Sequence, residues 1–275
     1  MKKIVNLIGA LLGCALLVGN VYAQAFSACP AVDAGPDQNI SCAVPCANLT
    51  ATPVSGFAPT TYTVQPITYN PFSYTAGNPV IVNIDDIWSG VVNMPFSFCF
   101  YGNTYSQVII GANGALSFNT AFAGAANTWP IGAAIPSALP ADMQNCIMAP
   151  WHDIDPSINQ PGQTKSVRWQ LIGTAPCRAF VVSWSNIPMF SATCDQNVAL
   201  NATQQIVLYE TTNIIETYIQ SKQLCPSWNS GFAIHGIQNA NGTAATVVPG
   251  RNHPALWTAT NDAWQFLPAG APNFT

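Results

Sequence analysis

The chain has little charge, and this shortage limits what it can bind. Only 7% of its 275 residues are charged, with eleven acidic and seven basic side chains. Beyond Lys2 and Lys3 there is no cluster of lysine or arginine of the kind that nucleic acids and anionic membranes require. Twenty-two prolines and nineteen glycines disfavour long helices. The composition therefore argues against a nucleic-acid-binding or mainly helical protein.

Sequence signals of catalysis are also scarce. The Gly-x-Ser-x-Gly motif of many serine hydrolases is absent, and the chain has three histidines, His152, His235 and His253. His235 falls inside a predicted strand, where a packed or hydrogen-bonded side chain is expected. A triad is defined by geometry rather than by sequence order, so a secreted hydrolase remains an alternative. The sequence nevertheless predicts a protein that is not an enzyme and has no catalytic residue.

The N-terminus has the pattern of a secretory signal peptide. Lys2 and Lys3 precede an apolar run at residues 4–18, and Val21 and Ala23 stand at the −3 and −1 positions of a cleavage site. The run is shorter than the roughly 20 residues that a membrane-spanning helix needs. Residues 11–14 (LLGC) also resemble a lipoprotein box, but the apolar sequence continues past Cys14. We therefore predict cleavage after Ala23, and an exported mature chain without a membrane span.

Cysteine number fits an oxidising compartment. The chain has nine cysteines, and removal of Cys14 with the signal peptide leaves eight in the mature chain. This even number predicts up to four disulfides of unknown connectivity. Cys42 and Cys46 are expected either to pair locally or to tie the N-terminal segment to the main domain. No second pair at zinc-ligand spacing accompanies them. The disulfide candidates are Cys29, Cys42, Cys46, Cys99, Cys146, Cys177, Cys194 and Cys225.

Apolar residues alternate with polar ones in many short segments bounded by turn residues, which is typical of antiparallel strands. Residues 96–101 place three phenylalanines on one face, and Asn113-Gly114 joins two apolar runs as a hairpin turn. One short helical turn is predicted at 140–145. Further strands are predicted at 167–171, 180–184, 205–210, 214–219 and 231–237. The fold class predicted is all-β, an antiparallel β-sandwich, with a barrel-like arrangement as the alternative.

Changes in composition suggest the domain boundaries. After the signal peptide at 1–23, residues 24–61 are rich in Pro, Ala and Cys, and we expect a short disulfide-tied N-terminal arm. Residues 62–268 form the predicted β-sandwich domain. Residues 269–275 have the composition of a linker, which suggests either that more domains once followed or that the chain is a fragment of a longer multidomain protein.

An acidic motif, His152-Asp153-Ile154-Asp155, is the strongest candidate for a metal site. In an extended segment Asp153 and Asp155 project to the same side, and a hard cation such as Ca²⁺ would relieve their repulsion. Asp85 and Asp86 are a second source of carboxylate oxygens. The alternative is that these aspartates accept backbone N–H groups in turns. Ca²⁺ is the one cofactor that the sequence leaves open.

Several tryptophans lie beside predicted turns and loops, where binding surfaces concentrate. Sugars stack on exposed aromatic faces, so these rings are candidates for ligand contact. The alternative is that these rings fill the core at the ends of the sandwich, because aromatic side chains bury large areas. The candidate ligand-contact residues are Trp88, Trp129, Trp151, Trp228 and Trp257.

The order of several motifs resembles a known family. Residues 32–38 (VDAGPDQ) are similar to the opening of PKD-like and immunoglobulin-like repeats of Bacteroidota surface proteins, which implies that the arm at 24–61 is a partial immunoglobulin-like segment. The rest of the chain, to about residue 268, resembles a nidogen-like β-domain near the N-terminus of gliding-motility-associated-like proteins of that phylum. The matching motifs are 98–105 (FCFYGNTY), 110–114 (IGANG), 150–156 (PWHDIDP), 173–178 (GTAPCR), 205–210 (QIVLYE) and 236–240 (GIQNA).

This resemblance implies a non-enzymatic, adhesin-like protein at the cell surface or secreted, typically a cargo of type IX secretion, whose partner is an extracellular protein or glycan surface. It implies no catalytic residue. The relatives continue into repeats and a C-terminal sorting domain, and no such segment is visible before Thr275. The attachment and the export route therefore stay open, as does the alternative of a carbohydrate-binding module from a larger secreted protein.

Overall fold

The computed structural model describes residues 59–269, together with the backbone of Val32–Asp33 and Thr52–Pro53. The predicted signal peptide, most of the predicted N-terminal arm with Cys29, Cys42 and Cys46, and the tail after residue 269 lie outside the described residues. Within the described part of the chain, no helix is both long and apolar enough to cross a membrane.

The described residues fold into β-strands joined by loops and short 3₁₀ turns, which confirms the all-β prediction. One 3₁₀ turn, Ala141–Met143, coincides with the helical turn predicted at 140–145. The others are Thr120–Phe122, Val198–Leu200 and Asn229–Gly231. The strands are β1 (Val32–Asp33), β2 (Thr52–Pro53), β3 (Thr61–Pro66), β4 (Asn78–Pro79), β5 (Val92–Phe100), β6 (Asn103–Ile110), β7 (Ala115–Ser117), β8 (Cys146–Trp151), β9 (Ser166–Ile172), β10 (Ala179–Ile187), β11 (Ala202–Tyr209), β12 (Ile215–Lys222), β13 (Ile234–Gln238), β14 (Ala245–Val247) and β15 (Ala259–Ala269).

Two antiparallel sheets form the sandwich. The large sheet has seven strands in the order β3-β15-β12-β11-β10-β9-β4, and the small sheet has six in the order β14-β13-β8-β7-β6-β5. Strands β1 and β2 pair with each other. Both sheets are open at their edges, so the predicted sandwich is confirmed and the barrel-like alternative is wrong.

Alternation along the strands explains how they pack. In β5, Phe96, Phe98 and Phe100 are buried, whereas Ser97 between them is exposed. The tight turn between β6 and β7 contains Asn113 and Gly114, as predicted, and Gly114 has a φ of +81°, which glycine adopts without steric cost. Period-2 patterning and turn chemistry thus set the register of this hairpin.

The main core lies between the sheets, and each sheet also packs apolar side chains on its outer face. Between the sheets the buried residues include Phe98, Phe180 and Phe266. Loops cover a second cluster around Trp88 and Trp151. A third, around Val181, Val207 and Tyr218, packs under Ile67, Tyr69 and Phe72. Because both faces of the central strands are covered, β11 is buried along its whole length.

The cysteines pair less completely than their number predicted. Cys194 and Cys225 form a disulfide between the two loops that carry them, and Cys177 is also disulfide-bonded. Cys99 and Cys146, however, are buried free thiols, so the prediction is wrong for these two. They lie on β5 and β8, three strand positions apart in the small sheet. That spacing is about 14 Å, well beyond the reach of a disulfide.

Candidate functional site

One end of the sandwich brings the predicted acidic motif together with parts of both sheets. Residues 153–155 follow β8 of the small sheet and pair with residues 188–190, which follow β10 of the large sheet. Ile154 bridges to Met189, Asp155 N–H donates to Pro188 O at 2.9 Å, and Phe190 N–H donates to Asp153 O at 3.2 Å. Ile154 is fully buried in the core, so Asp153 and Asp155 project away from it.

A second segment, which carries Asp85 and Asp86, is held against this one by Asn113. The Asn113 side chain donates from Nδ2 to Asp86 Oδ1 at 2.8 Å and to Asn127 O at 3.1 Å. Its Oδ1 accepts the backbone N–H of Ile154 at 3.2 Å. One buried amide therefore ties the turn between β6 and β7 to both acidic segments.

Three carboxylates meet at this point. One oxygen from each of Asp85, Asp86 and Asp153 lies within 4.8 Å of the others, and we call these residues the carboxylate cluster. Asp153 Oδ2 accepts Trp228 Nε1–H at 2.6 Å, whereas Asp153 Oδ1 and Asp85 Oδ1 are buried and have no hydrogen-bond partner among the described residues. Asp153 is only 5% exposed, so its unpaired oxygen is shielded from solvent.

Burial and mutual repulsion disturb the titration of these groups. Burial is the main factor that raises the pKa of Asp85 to about 7, with further contributions from Asp155, Asp86 and Asp153. Burial also raises the pKa of Asp153 to about 7, against the lowering effect of the Trp228 hydrogen bond. The pKa of Asp86 is raised by burial, partly offset by Asn113. Among the described residues, no positive charge is near enough to favour the ionised form of these three carboxylates.

Asp155, which the sequence placed in the metal site with Asp153, has a different role. Its Oδ1 accepts the backbone N–H of Ser157 at 2.6 Å, which is the turn-capping role predicted as the alternative. It lies outside the group of three carboxylates, whose third member is Asp86 instead. Asp155 remains close enough for its charge to raise the pKa values of Asp85, Asp86 and Asp153.

Aromatic rings pack beside the carboxylate cluster. Trp228 lies 5.3 Å from Trp129 and 4.9 Å from Phe190, measured between ring centroids. All three are half-buried, and we call them the aromatic cluster. The tryptophans come from loops that sequence patterning identified. Phe190 was not predicted, since nothing in its local sequence distinguishes it from a core residue.

The other candidate tryptophans, Trp88, Trp151 and Trp257, make contacts within the domain. Trp88 and Trp151 are 0% and 2% exposed, so they fill the core and present no face to a ligand. Their indole N–H groups donate to Asp142 and to Thr128 O. The half-buried ring of Trp257 has Arg251 at 4.5 Å and Lys222 at 4.8 Å. For Trp88 and Trp151 the core-anchor alternative is the correct one.

A surface groove of about 580 Å³ lies next to the loop of Trp129. None of its lining side chains titrates, so it offers shape and apolar contact rather than acid–base chemistry. The lining includes Pro130, Ile135, Leu139, Met143 and Trp151.

Two buried histidines have tautomers that their partners fix. The Gln204 amide donates to Pro150 O and Gly114 O, so its oxygen faces His152 and accepts the proton of Nε2 at 3.0 Å. His235 Nδ1 faces Arg251, which can only donate, and Nε2–H therefore donates to Thr217 at 2.8 Å. Neither ring can take a proton from its hydroxyl or amide neighbour.

Comparison with protein families matches residues 61–271 to the family described as NIDO related. No curated protein matches the chain, and no solved structure matches it. The matched range begins with β3 and extends past β15, so it contains both sheets, the carboxylate cluster and the aromatic cluster. The chain therefore belongs to the nidogen-related family.

Proposed function

We propose that this chain is an exported, adhesin-like interaction module that contacts an extracellular protein or glycan surface through its aromatic cluster. Membership in the nidogen-related family suggests the coarser role, a non-enzymatic extracellular interaction module. The observation that carries the finer proposal is the packing of the half-buried rings of Trp129, Phe190 and Trp228 at one end of the sandwich, where the Trp228 indole N–H donates to Asp153.

Rigid, partly exposed aromatic side chains are suited to binding. Tryptophan is enriched among the residues that dominate binding energy at interfaces, because it buries a large area with little loss of rotamer freedom. Here the hydrogen bond from Trp228 to Asp153 and the ring contacts on both sides restrain the indole before any partner arrives. Such preorganisation lowers the entropic cost of association.

The non-enzymatic part of the proposal has support from the histidines. Neutral His235 holds its Nε2 proton toward Thr217, so it cannot act as a general base for that hydroxyl. The pKa of His152 is lowered to about 3, mainly by burial, so this ring stays neutral across the physiological pH range.

Export and domain organisation belong to the same proposal. The Cys194–Cys225 disulfide is typical of proteins outside the cytoplasm, and the signal-peptide pattern at 1–23 is consistent with it. We propose cleavage after Ala23, an arm at 24–61 and a binding domain at 62–268, with type IX secretion as the route that the family resemblance suggests.

Binding measurements on the mature chain, residues 24–275, test the aromatic cluster. The protein is applied to a glycan array and to immobilised extracellular proteins and cell surfaces, alongside Trp129→Ala and Leu171→Ala. Leu171 is 40% exposed on β9, distant along the strand from the end that meets the site, and serves as the control. We expect Trp129→Ala to lose at least tenfold in affinity for whichever surface binds, with Leu171→Ala unchanged. Equal affinity of all three proteins would refute the proposal.

A carbohydrate-binding module is the second candidate, and one observation favours it. The half-buried rings of Trp129 and Trp228 lie 5.3 Å apart, measured between their centroids. Partly exposed aromatic faces of this kind stack on sugar rings. Binding to defined glycans with no binding to deglycosylated surfaces would favour this candidate over a protein-binding adhesin.

A further inference from the structure

We propose that Asp85, Asp86 and Asp153 together bind one Ca²⁺ ion, and that this ion fixes the aromatic cluster through Asp153. The three carboxylates come from two segments that are distant in sequence and meet only in the folded sandwich. The ion would lie among the three oxygens that are within 4.8 Å of one another.

The spacing of these oxygens fits a shared ion. Ca²⁺ takes oxygen ligands at about 2.3–2.6 Å, so two ligands on opposite sides of one ion are separated by at most about 5 Å. The oxygens of the carboxylate cluster fall within that limit. Carboxylates without any nitrogen or sulfur ligand select a hard cation.

Unpaired oxygens provide an observation that does not depend on the clustering of acids. Asp153 Oδ1 and Asp85 Oδ1 are both buried, and within residues 59–269 neither has a hydrogen-bond partner. A buried polar atom without a partner destabilises the folded state, and does so more strongly when it is charged. The second oxygen of Asp153 accepts the Trp228 indole N–H, and Asp86 Oδ1 accepts an amide N–H of Asn113, so both carboxylates are held in place beside the unpaired oxygens.

Local cations do not supply the missing charge. In the part of the chain that the structure describes, the ion pairs are Arg178–Glu210 and Arg251–Asp262. The ammonium of Lys165, whose charge interacts with Asp155, donates to Asn159 at 2.9 Å. A divalent ion would neutralise the repulsion among the carboxylates of the cluster and would bind more strongly as they lose their protons.

The hydrogen bond between Asp153 and Trp228 would make the proposed binding surface depend on Ca²⁺. This part of the inference rests on the proposed function. Asp153 would hold the ion with Oδ1 while Oδ2 accepts the indole N–H. Ca²⁺ would thus lock the carboxylate that orients the central ring of the aromatic cluster. Metal binding is measured without any partner, so its failure can be distinguished from failure of the proposed adhesion.

Thermal melting and calorimetric titration of the mature chain, stripped with EGTA, test the site. Extracellular Ca²⁺ modules bind with dissociation constants of about 0.1–1 mM, so 5 mM CaCl₂ should raise the Tm by roughly 2–9 °C. Titration should give one ion per chain. Trp fluorescence should change over the same range of Ca²⁺ concentrations, and this change should be reduced in Trp228→Phe.

Two variants and a control decide the result. Asp153→Asn and Asp85→Asn should fold without Ca²⁺ at least as stably as the wild type, because each removes a repelling charge, but should lose the Ca²⁺-dependent rise in Tm. Asp195→Asn, outside the cluster, should keep that rise. An absent rise in the wild type, a rise that persists in Asp153→Asn, or an equal rise with MgCl₂ would overturn the assignment to Ca²⁺.

Discussion

Replacement of Gly114 by alanine should destabilise the sandwich far more than the usual cost of a left-handed residue. Gly114 lies in the turn between β6 and β7 with a φ of +81°. A Cβ at this position would overlap Gln204 Nε2 and Pro150 O. Those two atoms are hydrogen-bonded to each other at 2.7 Å, so the new methyl group would displace a contact between the large and small sheets.

The expected magnitude has two parts. Alanine in the left-handed region costs about 1–2 kcal/mol, and forcing an extra methyl group into a packed interior costs about 1–3 kcal/mol. We therefore expect the free energy of unfolding to fall by about 2–5 kcal/mol. For a domain of this size, that is a drop in Tm of roughly 4–20 °C.

Gly162 provides the matched control. Its φ is +73°, close to that of Gly114, but a Cβ there would meet nothing within 4 Å. The loss of stability in Gly162→Ala therefore measures the cost of the left-handed backbone alone. Urea denaturation at 25 °C, followed by circular dichroism, measures both variants against the wild type. If Gly114→Ala and Gly162→Ala differ by less than about 0.5 kcal/mol, the close approach of Gln204 and Pro150 does not constrain this turn, and the reasoning is wrong.

Three further predictions concern cysteines and a buried lysine. Replacing both Cys194 and Cys225, which are 31 residues apart, with serine should lower the free energy of unfolding by about 3–4 kcal/mol; an unchanged urea midpoint would contradict this. Maleimide labelling with peptide mapping should modify Cys99 and Cys146 only after denaturation, since both thiols are buried and burial raises their pKa values; rapid labelling of the native protein would refute their burial. Burial lowers the pKa of Lys222 to about 7, so between pH 7 and pH 10 this side chain binds more protons in the unfolded chain than in the folded one. The free energy of unfolding of the wild type should therefore rise with pH, relative to that of Lys222→Met, by up to about 1.4 kcal/mol per pH unit. Parallel pH profiles of the two proteins in urea titrations would exclude this.

Local patterning predicted the sheets well because it acts on neighbouring residues. Alternation in β5 and the Asn113-Gly114 turn are properties of a few consecutive side chains. The order of the strands depends instead on which apolar faces meet across the sandwich. Pairing of β3 with β15, for example, joins residues some 200 positions apart, and no local pattern specifies that contact.

The site was predictable only in part, for a related reason. The sequence identified two acidic segments, one with Asp153 and one with Asp85 and Asp86. It assigned Asp155 to the metal site because of its spacing from Asp153. In the structure, Asp155 turns one oxygen to the backbone of Ser157. The third carboxylate is Asp86, which a hydrogen bond from Asn113 positions. These two residues are 27 positions apart, so the sequence around either of them does not predict their contact.

The proposed binding surface depends on loops that are held together from several sides. Phe190 and Trp228 come from two loops that the Cys194–Cys225 disulfide links, and Thr193 and Ser227 add a hydrogen bond between their hydroxyls in the same place. Asp153 is hydrogen-bonded to both residues: its side chain accepts the indole N–H of Trp228, and its backbone carbonyl accepts the backbone N–H of Phe190. A chain with 7% charged residues has few long-range electrostatic contacts with which to attract a partner. Recognition must then come from shape, and shape is maintained when covalent and hydrogen-bonded links fix the loops before contact.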